Sequence, residues 1–126
     1  MKKALLVDDD YLVRSYLKML PSWEKADFVI AADVRDGEEA LELMEEKGEP
    51  DVLITDIQMP VMDGYDATAR IRRMKDEEKA SIPIIAMTAN AFAEDRQKAI
   101  SVGMNDHVAK PIDMNVLLPV IAKYIR

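Results

Sequence analysis

The stretch LLVDDDYL, residues 5–12, sets three consecutive carboxylates, Asp8, Asp9 and Asp10, directly behind a short apolar run. Like charges this close repel one another, and burying them without partners is costlier still. The run itself is too short for a helix and reads as a strand that ends on its acids. Similar runs recur along the chain: ALLV (4–7) is followed by FVIAA (28–32), DVLIT (51–55), IPIIAM (82–87) and, more weakly, HVA (107–109). They are aliphatic and do not alternate with polar residues, which is how strands buried on both faces of a parallel sheet read.

Longer stretches with helical period separate these runs. Leu12, Val13, Tyr16, Leu17 and Leu20 mark one apolar stripe; Met114, Leu117, Leu118, Ile121 and Ile125 mark another. Boundary residues agree with this division. Asp36 with Glu39 resembles a capping box, Gly48 and Pro50 stop the helix that follows, Gly103 suits a helix C′ position, and Pro21 ends the first helix. Five successive β–α units, joined by right-handed crossovers, give an α/β fold with one open, doubly wound five-stranded parallel sheet and five helices.

In such sheets sites form outside the carboxyl ends of the strands. Behind the first strand stand Asp8, Asp9 and Asp10; behind the third, Asp56; behind the fourth, Thr88; and around the fifth, Lys110. Each signal alone is weak. An acid after a strand is usually a helix cap, as Asp10 would be for a helix from Tyr11. Thr88 alone is a common strand-end residue, Lys110 alone a surface lysine, and Pro111 suits the first turn of a helix. Their joint order is what carries information.

Composition narrows the chemistry. At 126 residues, 49% apolar and 33% charged, the chain is expected to form one domain spanning 1–126. It has no cysteine, so no disulfide framework and no thiolate metal site, and a reducing, cytoplasmic setting is expected. The apolar part of MKKALLVDDD is too short for a signal peptide, and no run is long enough to span a membrane. A net charge of −7 argues against binding a nucleic-acid backbone, and the basic stretch RIRRMK (70–75) reads as a solvated helix face. Carboxylates gathered on one rim need a counter-charge, and with only His107 as an imidazole the hard-oxygen choice is Mg²⁺. Lys110 can pair with a carboxylate or a phosphoryl oxygen, Thr88 can donate a hydrogen bond, and a carboxylate can itself be a nucleophile. Phosphoryl transfer requires little beyond positioning and charge neutralisation.

VDDD, ITDIQMPVMDG, IIAMTANA and VGMNDHVAKPID, in this order and spacing, make the chain resemble the receiver domains of two-component response regulators. The resemblance covers essentially the whole length. It implies the flavodoxin-like, chemotaxis-regulator-like sheet of order 2-1-3-4-5, and Asp56 as phosphoacceptor. It further implies Asp8, Asp9 and Asp56 as Mg²⁺ ligands, directly or through water, with the Gln58 backbone carbonyl completing the set. Thr88 matches the switch hydroxyl, Ala89 the small residue after it, and Lys110 the family's ammonium, with a cis bond to Pro111. Met59, Pro60, Asp63 and Gly64 resemble the loop after the acceptor, while Gln58 and Asn90 stand where the family tunes phosphate lifetime. His107 departs from the usual Tyr or Phe of the switch position; as a lone histidine it is read as a satisfied strand residue rather than a catalyst. The first half is similar to receivers preceding AraC-type DNA-binding regions, the second to those of hybrid kinases.

The function so implied is not enzymatic turnover of a substrate. It is acceptance of a phosphoryl group from a histidine kinase or histidine phosphotransfer domain, switching the surface built by the last strand and the helices flanking it. Output then belongs to a partner or to a domain outside these residues, and a phosphorylation-dependent homodimer stays open. Two enzyme or ligand classes compete. A haloacid-dehalogenase-type phosphatase needs a second carboxylate two residues after its nucleophile, where Gln58 stands. Flavin binding needs a Ser/Thr/Gly-rich cradle after the first strand, where acids stand instead. An interaction module without phosphorylation is disfavoured by the presence of all five key groups.

Overall fold

The computed structural model describes residues 1–89 and 93–125, with Ala93, Glu94 and Asp95 described through their backbone alone. Five strands, β1 (Lys2–Val7), β2 (Phe28–Val34), β3 (Val52–Asp56), β4 (Ile84–Thr88) and β5 (Asp106–Ala109), form one parallel sheet of order β2-β1-β3-β4-β5. The helices are α1 (Tyr11–Lys18), α2 (Ser22–Lys25), α3 (Gly37–Lys47), α4 (Gly64–Arg72), α5 (Glu77–Ala80), α6 (Ala93–Val102) and α7 (Met114–Ala122).

The unbroken apolar runs of β1, β3 and β4 have a simple cause: each of these central strands buries both of its faces. Ala4 and Leu6 of β1, Val52 and Ile54 of β3, and Ile85 and Met87 of β4 pack with Leu17, Trp23, Leu117 and Ile121 on one side. Leu5, Val7, Leu53, Ile84 and Ala86 point the other way, against Ala40, Met44, Ile71 and Ala99. Successive side chains of a strand alternate faces, so a sheet sandwiched between helix layers needs an apolar residue at every position.

Several expectations need correction. Among the described residues there are seven helices where five were expected, because two connections each contain a single turn. The turn α2 seats Trp23 in the core, its indole N–H donating to the Leu17 carbonyl at 2.8 Å; α5 is capped by Asp76. The first helix ends at Lys18, before Pro21, which opens α2 instead. Of the first apolar stripe only Leu17 is buried, with Val13 and Leu20 packed beside it. Leu12 (75% exposed) and Tyr16 (60%) face outward, because the buried line runs i, i+4, i+7 through 13, 17 and 20. The capping box is half formed: Asp36 accepts the Glu39 N–H, but the Glu39 carboxylate turns to the N–H and guanidinium of Arg35.

RIRRMK is not wholly a solvated face. Arg72 donates to the carbonyls of Gly103, Ala80 and Ile82 and to Asn105 Oδ1, at 2.7 to 2.9 Å. Asn105 Oδ1 also accepts the Ile84 N–H. One guanidinium therefore ties α4 to the end of α5 and to the connections before β4 and β5, at the end of the sheet opposite the acids, and burial holds its pKa below the usual arginine value. The last stripe is as expected, with Met114, Leu117 and Ile121 buried. Among the described residues no helix is long and apolar enough to cross a membrane.

Candidate functional site

Strands β1, β3 and β4 end in steps of one residue, Val7 opposite Thr55 and Asp56 opposite Met87, and their ends and the loops behind them carry the polar groups to one edge. Asp8 follows β1 and is fully buried; its Oδ1 accepts the Asp10 N–H and its carbonyl takes the Arg14 guanidinium. Asp10 is a helix cap, accepting the N–H groups of Leu12 and Val13 at the start of α1. Asp9 stands exposed between them. The opening triplet thus divides into one buried carboxylate, one at the surface and one cap.

Asp56 is the last residue of β3, its Oδ1 accepting the Ile57 N–H at 2.8 Å. Oxygens of Asp8, Asp9 and Asp56 all lie within 4.8 Å of one another. Lys110 reaches into this group from behind β5, 2.8 Å from Asp8 Oδ2 and 3.3 Å from Asp56 Oδ2. Its own N–H donates to the Thr88 carbonyl at 2.8 Å, which fixes the β5 exit against β4. The bond from Lys110 to Pro111 is cis.

Charge and burial act against each other here. Burial pushes the Asp56 carboxyl above the usual carboxylate range, and the neighbouring Asp8 charge adds to this; Lys110 opposes both without cancelling them. For Lys110 burial would favour the neutral amine, but the hydrogen bond to Asp8 and the charges of Asp56 and Asp8 outweigh it, so its pKa is raised. Two of the three clustered carboxylates thus share one ammonium, and Asp9 is not paired with it. The donor set is all oxygen, the chain has no thiol, and the negative charge is only partly balanced, which fits a hard divalent cation.

A pocket of about 440 Å³ opens beside Asp56. Gln58, Asp63, Thr88, Ala89 and Lys110 line it, so six of the sequence-derived positions converge there with Asp56 included. His107 is not among the lining residues: it is half-buried in β5, paired with Ala86, its Nδ1 3.6 Å from Asp106 Oδ1. Asn90 falls outside the described residues. Asp63 caps α4 by accepting the Asp66 N–H, and Met59 packs against the core on the α3 and α4 side. Gly64 permits the close return of the loop, since a Cβ there would lie 2.5 Å from the Asp56 carbonyl oxygen. Two further residues on the pocket wall, Tyr65 and Lys98, carried no sequence signal because each comes from mid-chain helical text.

Outside the pocket runs a mainly apolar groove lined by Leu12, Val13, Tyr16, Ala89, Pro111 and Ile112. Leu12 and Tyr16, exposed on α1, therefore share this groove with Ala89 and Lys110 of the pocket rim.

A family model described as the response regulator receiver domain matches residues 4–122. Hybrid signal transduction histidine kinase I of Dictyostelium discoideum is 36% identical over 98% of this chain, which spans only 7% of that kinase. The receiver domain of the sensor histidine kinase PA1611 of Pseudomonas aeruginosa PAO1 superposes with a TM-score of 0.81, at 31% identity over 98% of this chain and 96% of that one. That structure carries a magnesium ion coordinated in its active site cleft. The receiver domain of Ssk1 from Saccharomyces cerevisiae, co-crystallised with the histidine phosphotransfer protein Ypd1, gives a TM-score of 0.83 at 25% identity, over 98% and 88% of the two chains. With a fold, a rim and a family model in agreement, this chain belongs to the response regulator receiver domain family.

Proposed function

We propose that the chain is the phospho-accepting module of a two-component phosphorelay, with Asp56 as the acceptor. The observation that carries this reading is the bridging position of Lys110, 2.8 Å from Asp8 and 3.3 Å from Asp56 at the mouth of the Thr88-lined pocket. An Asp56 carboxylate oxygen attacks the phosphorus of a phosphohistidine; the O–P bond forms as the P–N bond breaks, and the imidazole leaves with the electron pair. Asp8, Asp9 and Asp56, with the Gln58 carbonyl, are the groups that would hold Mg²⁺. When bound, the ion shields the charge gathering on the transferring oxygens.

Lys110 holds the acceptor carboxylate in place by an ion pair and then offers its ammonium to a phosphoryl oxygen. Thr88, at the end of β4, supplies a hydroxyl donor to the same group, and Ala89, being small, leaves access to it. Since Thr88 and Lys110 close β4 and β5, a change in their partners biases the surface of α6, β5 and α7. His107 lies on that surface rather than in the pocket, so its part would be in the readout. The donor is a histidine kinase or phosphotransfer protein. The apolar groove beside α1 supports such a partner, because an acceptor carboxylate is useful only where the donor imidazole can be docked above it.

Catalytic turnover of an independent substrate is not part of this reading, since Gln58 leaves no proton-exchanging group two residues beyond Asp56. The test is labelling with acetyl phosphate and Mg²⁺. The chain should take up acid-labile phosphate and Asp56→Asn should take up none; full labelling of that variant refutes the assignment.

A further inference from the structure

We infer that Lys98, seated on the ring of Tyr65, is a steering cation of the phosphoryl pocket that raises the rate at which small anionic phosphodonors reach Asp56. The inference rests on the phospho-accepting reading above and adds a donor-binding residue to it.

Lys98 lies on α6 and Tyr65 at the start of α4, and both line the pocket that Asp56, Thr88 and Lys110 line from the strand ends. The Lys98 ammonium is 4.6 Å from the Tyr65 ring centroid, within cation–π range. That contact bridges two helices and gives a flexible side chain a preferred seat on the pocket wall. It also leaves the charge uncancelled, because a ring is neutral. Among the described residues, no carboxylate lies within ion-pair distance of Lys98. Lys110, by contrast, is already shared between Asp8 and Asp56.

An anionic donor must approach a rim bearing three clustered carboxylates on a chain of net charge −7. A protein donor can offset that repulsion with a docking surface. A small acyl phosphate cannot, and depends on the local field within the concave site. Lys98 is the cation placed to supply it. The step itself is unchanged: for acetyl phosphate an Asp56 oxygen bonds to phosphorus, the acyl O–P bond breaks, and acetate leaves with the electron pair. Lys98 is therefore a positioning residue. It sets the encounter and not the bond-making.

The experiment measures the second-order rate constant for phosphorylation by acetyl phosphate at saturating Mg²⁺, from low to high ionic strength, together with urea midpoints. Lys98→Gln is expected to lower the constant about 3–10-fold at low salt, with the deficit shrinking below about 2-fold near 0.5 M salt. Lys98→Arg, which keeps the charge and stacks at least as well on a ring, is expected to stay within about 2-fold of the parent. Tyr65→Leu, which removes the seat but not the charge, should fall between them. A Lys98→Gln constant equal to the parent's at low salt overturns the inference. So does a deficit that ignores salt and tracks a lowered urea midpoint, which marks a structural role. If the parent takes up no phosphate on Asp56, the phospho-accepting reading falls first; if it does and Lys98→Gln matches it, only the steering role falls.

Discussion

Asp56→Asn should make the protein more stable when divalent cations are chelated. The side chain is only 16% exposed, and its oxygens lie within 4.8 Å of carboxylate oxygens of Asp8 and Asp9 and 3.3 Å from the Lys110 ammonium. At an effective dielectric constant of about 20, each carboxylate at that separation repels by roughly 3.5 kcal/mol and Lys110 attracts by roughly 5 kcal/mol. The balance is about 2 kcal/mol against the charged form, and burial acts in the same direction. Solvent screening of the exposed Asp9 trims this, so a gain of about 1–2 kcal/mol is expected on neutralising the group. The raised pKa gives the same sign. An acid whose folded pKa exceeds its unfolded value binds more protons when folded, so stability falls as pH rises through the window above the ordinary value of 3.8. Asn Oδ1 can still accept the Ile57 N–H, and Lys110 keeps Asp8. With an unfolding entropy of roughly 2.1 cal/mol/K per residue, 1 kcal/mol corresponds to about 4 °C in a chain of 126 residues. The variant should therefore melt about 4–8 °C higher in EDTA at pH 7. Urea unfolding followed by Trp23 fluorescence checks it, and the advantage should narrow as pH falls towards 4. Added Mg²⁺ should stabilise the parent more than the variant. An Asp56→Asn midpoint at or below the parent's in EDTA would refute the electrostatic account.

Three further outcomes follow from other contacts. Asp33 is paired with Arg14 Nε at 2.9 Å and Lys18 Nζ at 3.0 Å; burial alone would raise its pKa, but these two partners bring it below 3.8. Its contribution is thus present above that value and lost as pH falls through the lowered folded pKa, so Asp33→Asn should cost about 1–3 kcal/mol at pH 7, with the cost shrinking as pH falls below 3.8, by urea titration. Gly64→Ala should lose about 1–3 kcal/mol, because the new Cβ meets backbone atoms of Asp56 and Ile57 and no flexible side chain can yield; a midpoint equal to the parent's would show that the loop relaxes freely. Arg72→Met should cost about 2–4 kcal/mol in urea unfolding, with Arg72→Lys recovering less than half, since three carbonyls and Asn105 lose a planar forked donor.

Much of the fold was legible because buried parallel strands announce themselves. Leu5, Leu53 and Ile84 could belong to consecutive apolar runs only if both faces of the sheet were covered. The rim followed from chain order, since what stands directly behind a strand must emerge at its carboxyl end. Asp8, Asp56, Thr88 and Lys110 needed no more than that rule. Arg72 was misread because its partners lie 8, 10, 31 and 33 residues away, and nothing local distinguishes it from Arg70 or Arg73. Leu12 and Tyr16 were misread for a related reason. Period places residues on a shared face, but where that face ends depends on what packs against it.

The chain's own order therefore determined the alternation of strand and helix, the side of the sheet on which the acids emerge, and the chemistry those acids can support. Asp10 was readable as a helix cap from its place before Tyr11, but tertiary structure alone decided that Asp8 is buried and Asp9 exposed. It also brought Lys98 and Tyr65 to the pocket wall from separate helices. The physical reason is one of range. Propensity, capping and hydrophobic period act within a few residues, whereas burial, ion pairing and ring contacts depend on distances that exist only once the sheet and its two helix layers have closed.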